Sequence, residues 1–334
     1  MSKKLYIQHQ KGLTLVELLV AMAVSLIVVL AAVGALLISR QGFTQVDAAS
    51  QLRDNGRFAE ELVQRLSVQT GYRDVVYAAT SRPPATSGLT AEKPNIFGFN
   101  NRARAGTHKS DEANPSQRSA NSTGYGSDIL VLRFQSASSG FGGSATDSAI
   151  IDCAGLAPSQ KMNDRYERFS SVFHIADSNG EPSLMCTRWP EANDGGNSDT
   201  QPIISGVENF QVLYGVDIKG KTQTNPDGTT TDLPDSVADQ YLRADELTDT
   251  SDAAKTLENW QKVRSLRIGM VLRAGPGTAV GNTDNTIYPF GPGNAVDMFA
   301  SADDAGTIFT PADDGRLRQI VTFTVHLRNP QGDE

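Results

Sequence analysis

Two apolar patterns follow one another at the front of the chain. From Leu13 to Ile38 nearly every side chain is apolar, and Glu17 is the only charged one. As an α-helix this 26-residue run would reach about 39 Å at 1.5 Å per residue. A hydrocarbon core is about 30 Å thick, so the run is long enough to span one. Past it the pattern becomes amphipathic. No proline interrupts Gln45 to Val68, and Phe58, Leu62 and Leu66 recur four apart with Ala59 and Val63 beside them. Arg53, Arg57, Glu60, Glu61 and Arg65 surround this stripe, which predicts a helix packed along one face. One helix therefore continues from 13 to Thr70, with Gly71 as its stop. Gly34 and Gly42 are its weak points.

The periodicity then shortens. Residues 80–127, punctuated by Pro83-Pro84, Pro94 and Pro115, read as loop. Asp128–Gln135 reads as a buried strand around Ile129, Leu130, Val131 and Leu132, and Ser171–Ala176, Ser183–Trp189 and Val207–Asp217 follow as strands. Residues 218–236 form a turn-rich insertion around Asn225-Pro226-Asp227-Gly228. A short helix is expected within Asp235–Leu247. Two late segments alternate with period two. Leu266, Ile268, Met270 and Leu272 oppose Arg267, Gly269 and Arg273; Val321, Phe323, Val325 and Leu327 oppose Thr322, Thr324, His326 and Arg328. Residues 274–316 between them read as a long surface excursion. The fold class is α+β: a long N-terminal helix laid on an antiparallel sheet with large loops.

Charge adds direction. The 334 residues carry 30 Lys+Arg and 38 Asp+Glu. Residues 1–12 hold Lys3, Lys4 and Lys11 and no acid, so without them 27 basic residues face 38 acidic ones, a net charge of −11. That excludes a general nucleic-acid surface. Lysines ahead of the apolar run place residues 1–12 in the cytoplasm and everything after Ile38 outside it. Cys153 and Cys186 then lie in an oxidising compartment, where an even count predicts a disulfide.

Glu17 asks for a partner, because an acidic group at mid-bilayer costs on the order of 2.5–3.5 kcal/mol. Cutting the chain after Gly12 would supply one, the new amine of Leu13 on a neighbouring molecule. The block Lys11-Gly12-Leu13-Thr14-Leu15-Val16-Glu17 resembles the class III signal of type IV pilins and pseudopilins, with Leu13 standing where phenylalanine is commonest. A secretory signal, cut near Ala31, Ala32, Gly34 or Ala35, leaves Glu17 unexplained. Further patches resemble the PilW-type minor pilins: Arg53-Asp54-Asn55-Gly56-Arg57-Phe58-Ala59 with Gly71-Tyr72, Val207 to Asp217, Trp260-Gln261-Lys262-Val263-Arg264, and Arg316-Leu317-Arg318-Gln319.

The resemblance implies a pilin-like fold and this organisation: a cleaved leader at 1–12, a membrane and assembly helix at 13–38, its amphipathic continuation at 39–70, a loop-rich region at 71–127 and a β-rich head at 128–334. It implies cleavage between Gly12 and Leu13 by a prepilin peptidase, N-methylation of Leu13 and a register role for Glu17. The expected partners are other minor pilins, the major pilin, a PilY-type adhesin and the inner-membrane assembly platform. The expected location is the inner membrane, then the pilus. A minor pseudopilin of type II secretion and an anchored periplasmic binding or enzymatic domain are the alternatives.

No catalytic set emerges. His9, His108, His174 and His326 are scattered, none at metal-ligand spacing, and no Gly-x-Ser-x-Gly elbow is present. Gly275-Pro276-Gly277 and Gly291-Pro292-Gly293 complete no dinucleotide fingerprint and read as turns. Asp303-Asp304 and Asp313-Asp314-Gly315 offer hard oxygen ligands for calcium but lack EF-hand spacing, and read as solvated loops. Arg102, Arg104, His108 and Lys109 lack aromatic neighbours for nucleic-acid stacking. Asn121-Ser122-Thr123 matches a glycosylation pattern. No cofactor and no metal is expected.

Overall fold

Thr14 starts the first helix, α1 (Leu15–Gln69), through a reciprocal capping box with Glu17. The computed structural model describes residues 12–74, 93–104, 115–140, 145–158, 167–190, 199–218, 221–225, 227–233, 235–279, 286–291, 304–329 and 331. The leader lysines and His9, the Pro83-Pro84 segment, His108, Lys109, Pro226, Pro292-Gly293 and Asp303 fall outside these residues. α1 runs through Gly34 and Gly42 unbroken. It ends where the Thr70 amide closes on the carbonyls of Leu66 and Ser67 and Gly71 turns to φ 77°. Glycine pays no Cβ penalty in that left-handed region.

The strands follow in order: β1 (Ile96–Phe99), β2 (Arg102–Ala103), β3 (Ser116–Gln117), β4 (Ile129–Phe134), β5 (Phe169–Ser178), β6 (Glu181–Pro190), β7 (Asp199–Ser205), β8 (Val207–Val216), β9 (Lys221–Thr224), β10 (Thr230–Leu233) and β11 (Gln240–Leu242). Two short helices, α2 (Ala244–Leu247) and α3 (Ala253–Gln261), precede β12 (Val263–Arg273) and β13 (Arg318–His326). They form one antiparallel sheet of order β1-β4-β5-β6-β7 and a second of order β11-β8-β12-β13. The chain passes from the first sheet to the second at Gly206, with φ 82°. A Cβ there would stand 2.5 Å from the Arg273 carbonyl oxygen, so only glycine fits.

A single apolar cluster joins both sheets to α1. Leu52, Ala59, Val63 and Leu66 of the helix meet Leu132 and Phe173 of one sheet and Met270 and Phe323 of the other. The buried seam of α1 is Ala48, Leu52, Gly56, Ala59, Val63, Leu66 and Ser67. It is rotated from the expected stripe, and Phe58 is 51% exposed. The reason is Gly56: a Cβ built there lies 2.7 Å from Val321 Cγ2, so the missing side chain is what lets helix and β13 touch. Small residues set the seam and turn Phe58 outward.

Other expectations are also amended. The region expected to be loop contains β1, which pairs with β4 from Ile96↔Leu132 to Phe99↔Ile129. Asp252 accepts hydrogen bonds from the Ala254 and Lys255 amides and starts α3, a helix the sequence pattern did not reveal. β12 is covered on both faces. Its second face meets residues 286–291, where a Cβ on Gly269 would stand 2.6 Å from the Pro289 oxygen and Arg267 donates to the Phe290 carbonyl. Part of the expected surface excursion is therefore packing material.

Candidate assembly site

The front of α1 is built around one pair of side chains. Glu17 Oε2 accepts from the Thr14 amide and from Thr14 Oγ1, both at 2.9 Å, and Thr14 Oγ1 accepts from the Glu17 amide at 3.3 Å. The pattern Thr-x-x-Glu ahead of an apolar run is legible in sequence, yet the role of Thr14 was missed. Gly12 and Leu13 precede the helix, with Leu13 78% exposed, so the bond between them lies just ahead of the cap. From there to Phe43 no residue is buried against the head.

Three arginines and three carboxylates of the head meet in one network of ion pairs. Arg273 bonds Glu181 at 2.8 Å and Glu208 at 3.0 Å; Arg316 bonds Glu181 at 3.0 Å; Arg318 bonds Glu208 at 2.6 Å and Asp314 at 2.9 Å. Asp314, expected in a solvated loop, is thus an anchor for β13. The network borders a cavity of about 280 Å³ where Gln51 and Asn55 of α1 leave the head. His174 is buried with Nε2 3.0 Å from Thr187 Oγ1, and burial with the nearby Arg104 and Arg118 holds it down at about 3, a neutral core histidine. Arg102 and Arg104 donate to the Pro115 carbonyl and to Thr187 Oγ1. Among the described residues no group of three or more His, Cys, Asp or Glu could hold a metal.

One buried carboxylate pair has a measurable consequence. Asp128 accepts from the amides of Asn101 at 3.1 Å and Val212 at 2.9 Å, fastening the loop after β1 to β8. Burial first, then Asp304, pushes Asp128 well above the usual carboxylate range. Burial also pushes Asp304 up to about 6, with Asp245 and Glu246 adding to it while Asn100 and Arg243 oppose. An unfolded aspartate titrates near 3.9, so the folded state holds the Asp304 proton more tightly. This contribution is complete below about pH 4 and is lost as pH rises through about 6. Glu181 and Asp314, where the arginines outweigh burial and lower the carboxyl, weaken only at more acid pH. The detergent-solubilised chain should therefore melt several degrees higher at pH 5 than at pH 7.5, and Asp304→Asn should shrink that rise, leaving the part that the raised Asp128 contributes. An equal rise in the variant would show that Asp304 is not its source.

The four patches that carry the family resemblance are joints of the head. Glu208, in the second, and Arg316 and Arg318, in the fourth, meet in the ion network. Trp260, opening the third, meets Tyr214 of the second edge-to-face at 4.7 Å, and Arg264 pairs with Asp217 at 3.6 Å. Gly56, in the first, seats α1 on β13. A family model described as Type IV Pilus-assembly protein W matches residues 172–329, from β5 to just past β13. A prokaryotic N-terminal methylation motif matches residues 7–33.

The chain is a PilW-like type IV pilin.

No curated protein matches it. Among solved structures, the type IV-like pilin TTHA1219 from Thermus thermophilus is similar at 13% identity, covering 84% of this chain and 98% of its own, with a TM-score of 0.36. The PilW-like match takes in every joint just described except the α1 side of the helix contact. The methylation match takes in Gly12, Leu13, Thr14 and Glu17. An apolar N-terminal helix and a prepilin motif together make this a membrane-anchored minor pilin.

Proposed function

We propose that this minor pilin helps prime or cap the assembly of a type IV pilus. Residues 1–12 are the cytoplasmic leader. A prepilin peptidase cuts between Gly12 and Leu13, and Leu13 becomes the N-methylated terminus. Residues 13–38 hold the chain in the inner membrane with its head in the periplasm, residues 39–70 carry the head, and the subunit then moves into the pilus. Its partners are other minor pilins, the major pilin, a PilY-type adhesin and the assembly platform. The observation that carries the reading is the division of α1: its second half is seated in the core, and its first half is apolar and unpacked. Moving that half from lipid to a bundle of like helices changes little in apolar terms, so the polar group decides the register. Glu17, paired with the amine of a neighbour, penalises wrong registers more than it adds stability.

Thr14 provides a sharp test. Glutamine at position 17 can still complete a capping box, whereas alanine cannot. A register role needs the charge, so Glu17→Gln and Glu17→Ala should both be cleaved and methylated yet enter the complex at least about tenfold less than the native chain. Cleavage is read from the mass of the N-terminal peptide, and incorporation from co-purification with the other minor pilins. If Glu17→Gln assembles normally while Glu17→Ala does not, the residue serves only as a helix cap.

A further inference from the structure

The two sheets end in four edge strands, and three of them are blunted. β1 has four residues and lies beneath α2 and α3, with Phe97 against Trp260. β11 has three residues. β7 carries Pro202 in its middle. Short strands, proline and covering elements are the ordinary protections against edge-to-edge pairing. β13 is neither short nor broken by proline, and α1 lies over its face at Val321 rather than along its outward backbone groups. Its nine residues, RQIVTFTVH, contain no proline, glycine or lysine and are rich in β-branched and aromatic side chains.

The hydrogen bonds show which groups of β13 are left over. The Ala274 amide donates to the Leu317 carbonyl and the Leu327 amide to the Arg264 carbonyl. In an antiparallel ladder bonded and non-bonded pairs alternate. With Met270 opposite Val321 and Ile268 opposite Phe323, the bonded pairs fall on Val321, Phe323 and Val325. The N–H and C=O of Ile320, Thr322, Thr324 and His326 then point away from β12. Among the described residues nothing hydrogen-bonds these outward groups. Ile320 is 40% exposed, and Thr324 and His326 are exposed.

β13 also has a direction. Arg316 shares a cavity with Leu52, Gly56 faces Val321, and Asn329 Nδ2 donates to the carbonyls of Val68 and Thr70. The strand therefore runs alongside α1 in the same sense. Antiparallel pairing of β13 with a second copy would set the two apolar helices in opposite directions, which one membrane cannot hold. Parallel in-register pairing would place His326 and Arg328 opposite themselves, and like groups directly opposite destabilise.

We propose that the open edge of β13 receives a β-strand from a different pilin-class subunit whose helix runs in the same direction as α1. That partner strand would be rich in threonine and aliphatic residues, with an acidic side chain toward the end that meets His326 and Arg328. Main-chain bonds supply the affinity and alternate side chains the selectivity. The choice of a pilin-class partner rests on the assembly function proposed above; the open edge does not.

Amide exchange on the purified full chain tests the edge. Ile320, Thr322 and Thr324 should exchange about a hundredfold faster than Val321, Phe323 and Val325. Uniform slow exchange would mean the edge is already covered, and the proposal would fall. A photo-crosslinking residue at Thr324, in cells bearing the pilus, should then join the chain to an extended segment of another anchored subunit. An adduct with a second copy, or none above a control at Val237, would overturn it. Thr322→Pro with Thr324→Pro removes two outward donors without touching the ladder to β12, and should cut recovery of the partner about tenfold. Should that pair misfold, Ile320→Lys with Thr324→Lys leaves the backbone intact and should give the same loss; undiminished recovery would refute the edge. If Glu17→Gln assembles normally but the crosslink forms, the register reading fails and the edge stands.

Discussion

Trp260→Ala should cost the folded chain about 3–5 kcal/mol, the range for deleting a large aromatic from a packed core. Trp260 is fully buried. Its ring lies 4.8 Å from Phe97 and 4.7 Å from Tyr214, and Nε1 donates to Thr248 Oγ1 at 3.3 Å. It thus joins the edge strand β1, the central strand β8 and the segment after α2. Alanine would remove both ring contacts and leave a cavity between the sheets. Urea unfolding of the detergent-solubilised chain, followed by circular dichroism, gives the measurement. Phe58→Ala makes the comparison, since Phe58 is half-exposed and its loss should cost about 0.5 kcal/mol or less. Equal effects from the two would mean that Trp260 does not hold the sheets together.

Replacing Cys153 and Cys186 together by alanine should cost roughly 3–4 kcal/mol. The two cysteines form a disulfide 33 positions apart in sequence. Cys186 sits in β6 opposite Phe173, and Cys153 lies in the loop before β5, where its amide donates to Ser171 Oγ at 3.0 Å. The same loop receives the end of α1, because Gln69 Nε2 donates to the Ile151 carbonyl. Losing the bond should therefore loosen both the loop and the helix end. At about 2–4 °C per kcal/mol for a head of this size, the melting temperature should fall by about 10 °C. Reductant alone should act slowly, since both sulfurs are buried. An unchanged melting temperature in the double variant would show that packing alone fixes the loop.

What could be read from the sequence, and what could not, divides on physical grounds. The apolar run, the strands around Leu130, Phe173, Val212, Ile268 and Phe323, and the cysteine pair declare themselves because each has its own period, composition or compartment. β1 did not, because Ile96–Phe99 is four residues long and contains Gly98, which is present because Tyr214 leaves no room for a side chain. The seam of α1 was misjudged by one face because hydrophobicity marks Phe58, whereas the contact is decided by the absence of a side chain at Gly56. Asp304 and Asp314 looked alike as acidic loop residues. Asp304 lies buried and feels Asp128 from far earlier in the chain, a neighbour that sequence does not reveal, whereas Asp314 is held by Arg316 and Arg318 close by.

The meeting of α1 with β13 also sets an order of events. Gly56 and Val321, or Thr70 and Asn329, are separated by more than two hundred residues. Contacts of such sequence separation are slow to form. On the proposed route the apolar front of α1 is in the bilayer long before β13 emerges. Through that interval Leu52, Val63 and Leu66 lack the part of their cover that β13 supplies, and a product that stops short of Arg318 keeps that side bare. The arrival of β13 thus completes the seat of the helix on the head and removes a surface by which chaperones and proteases would know an incomplete product.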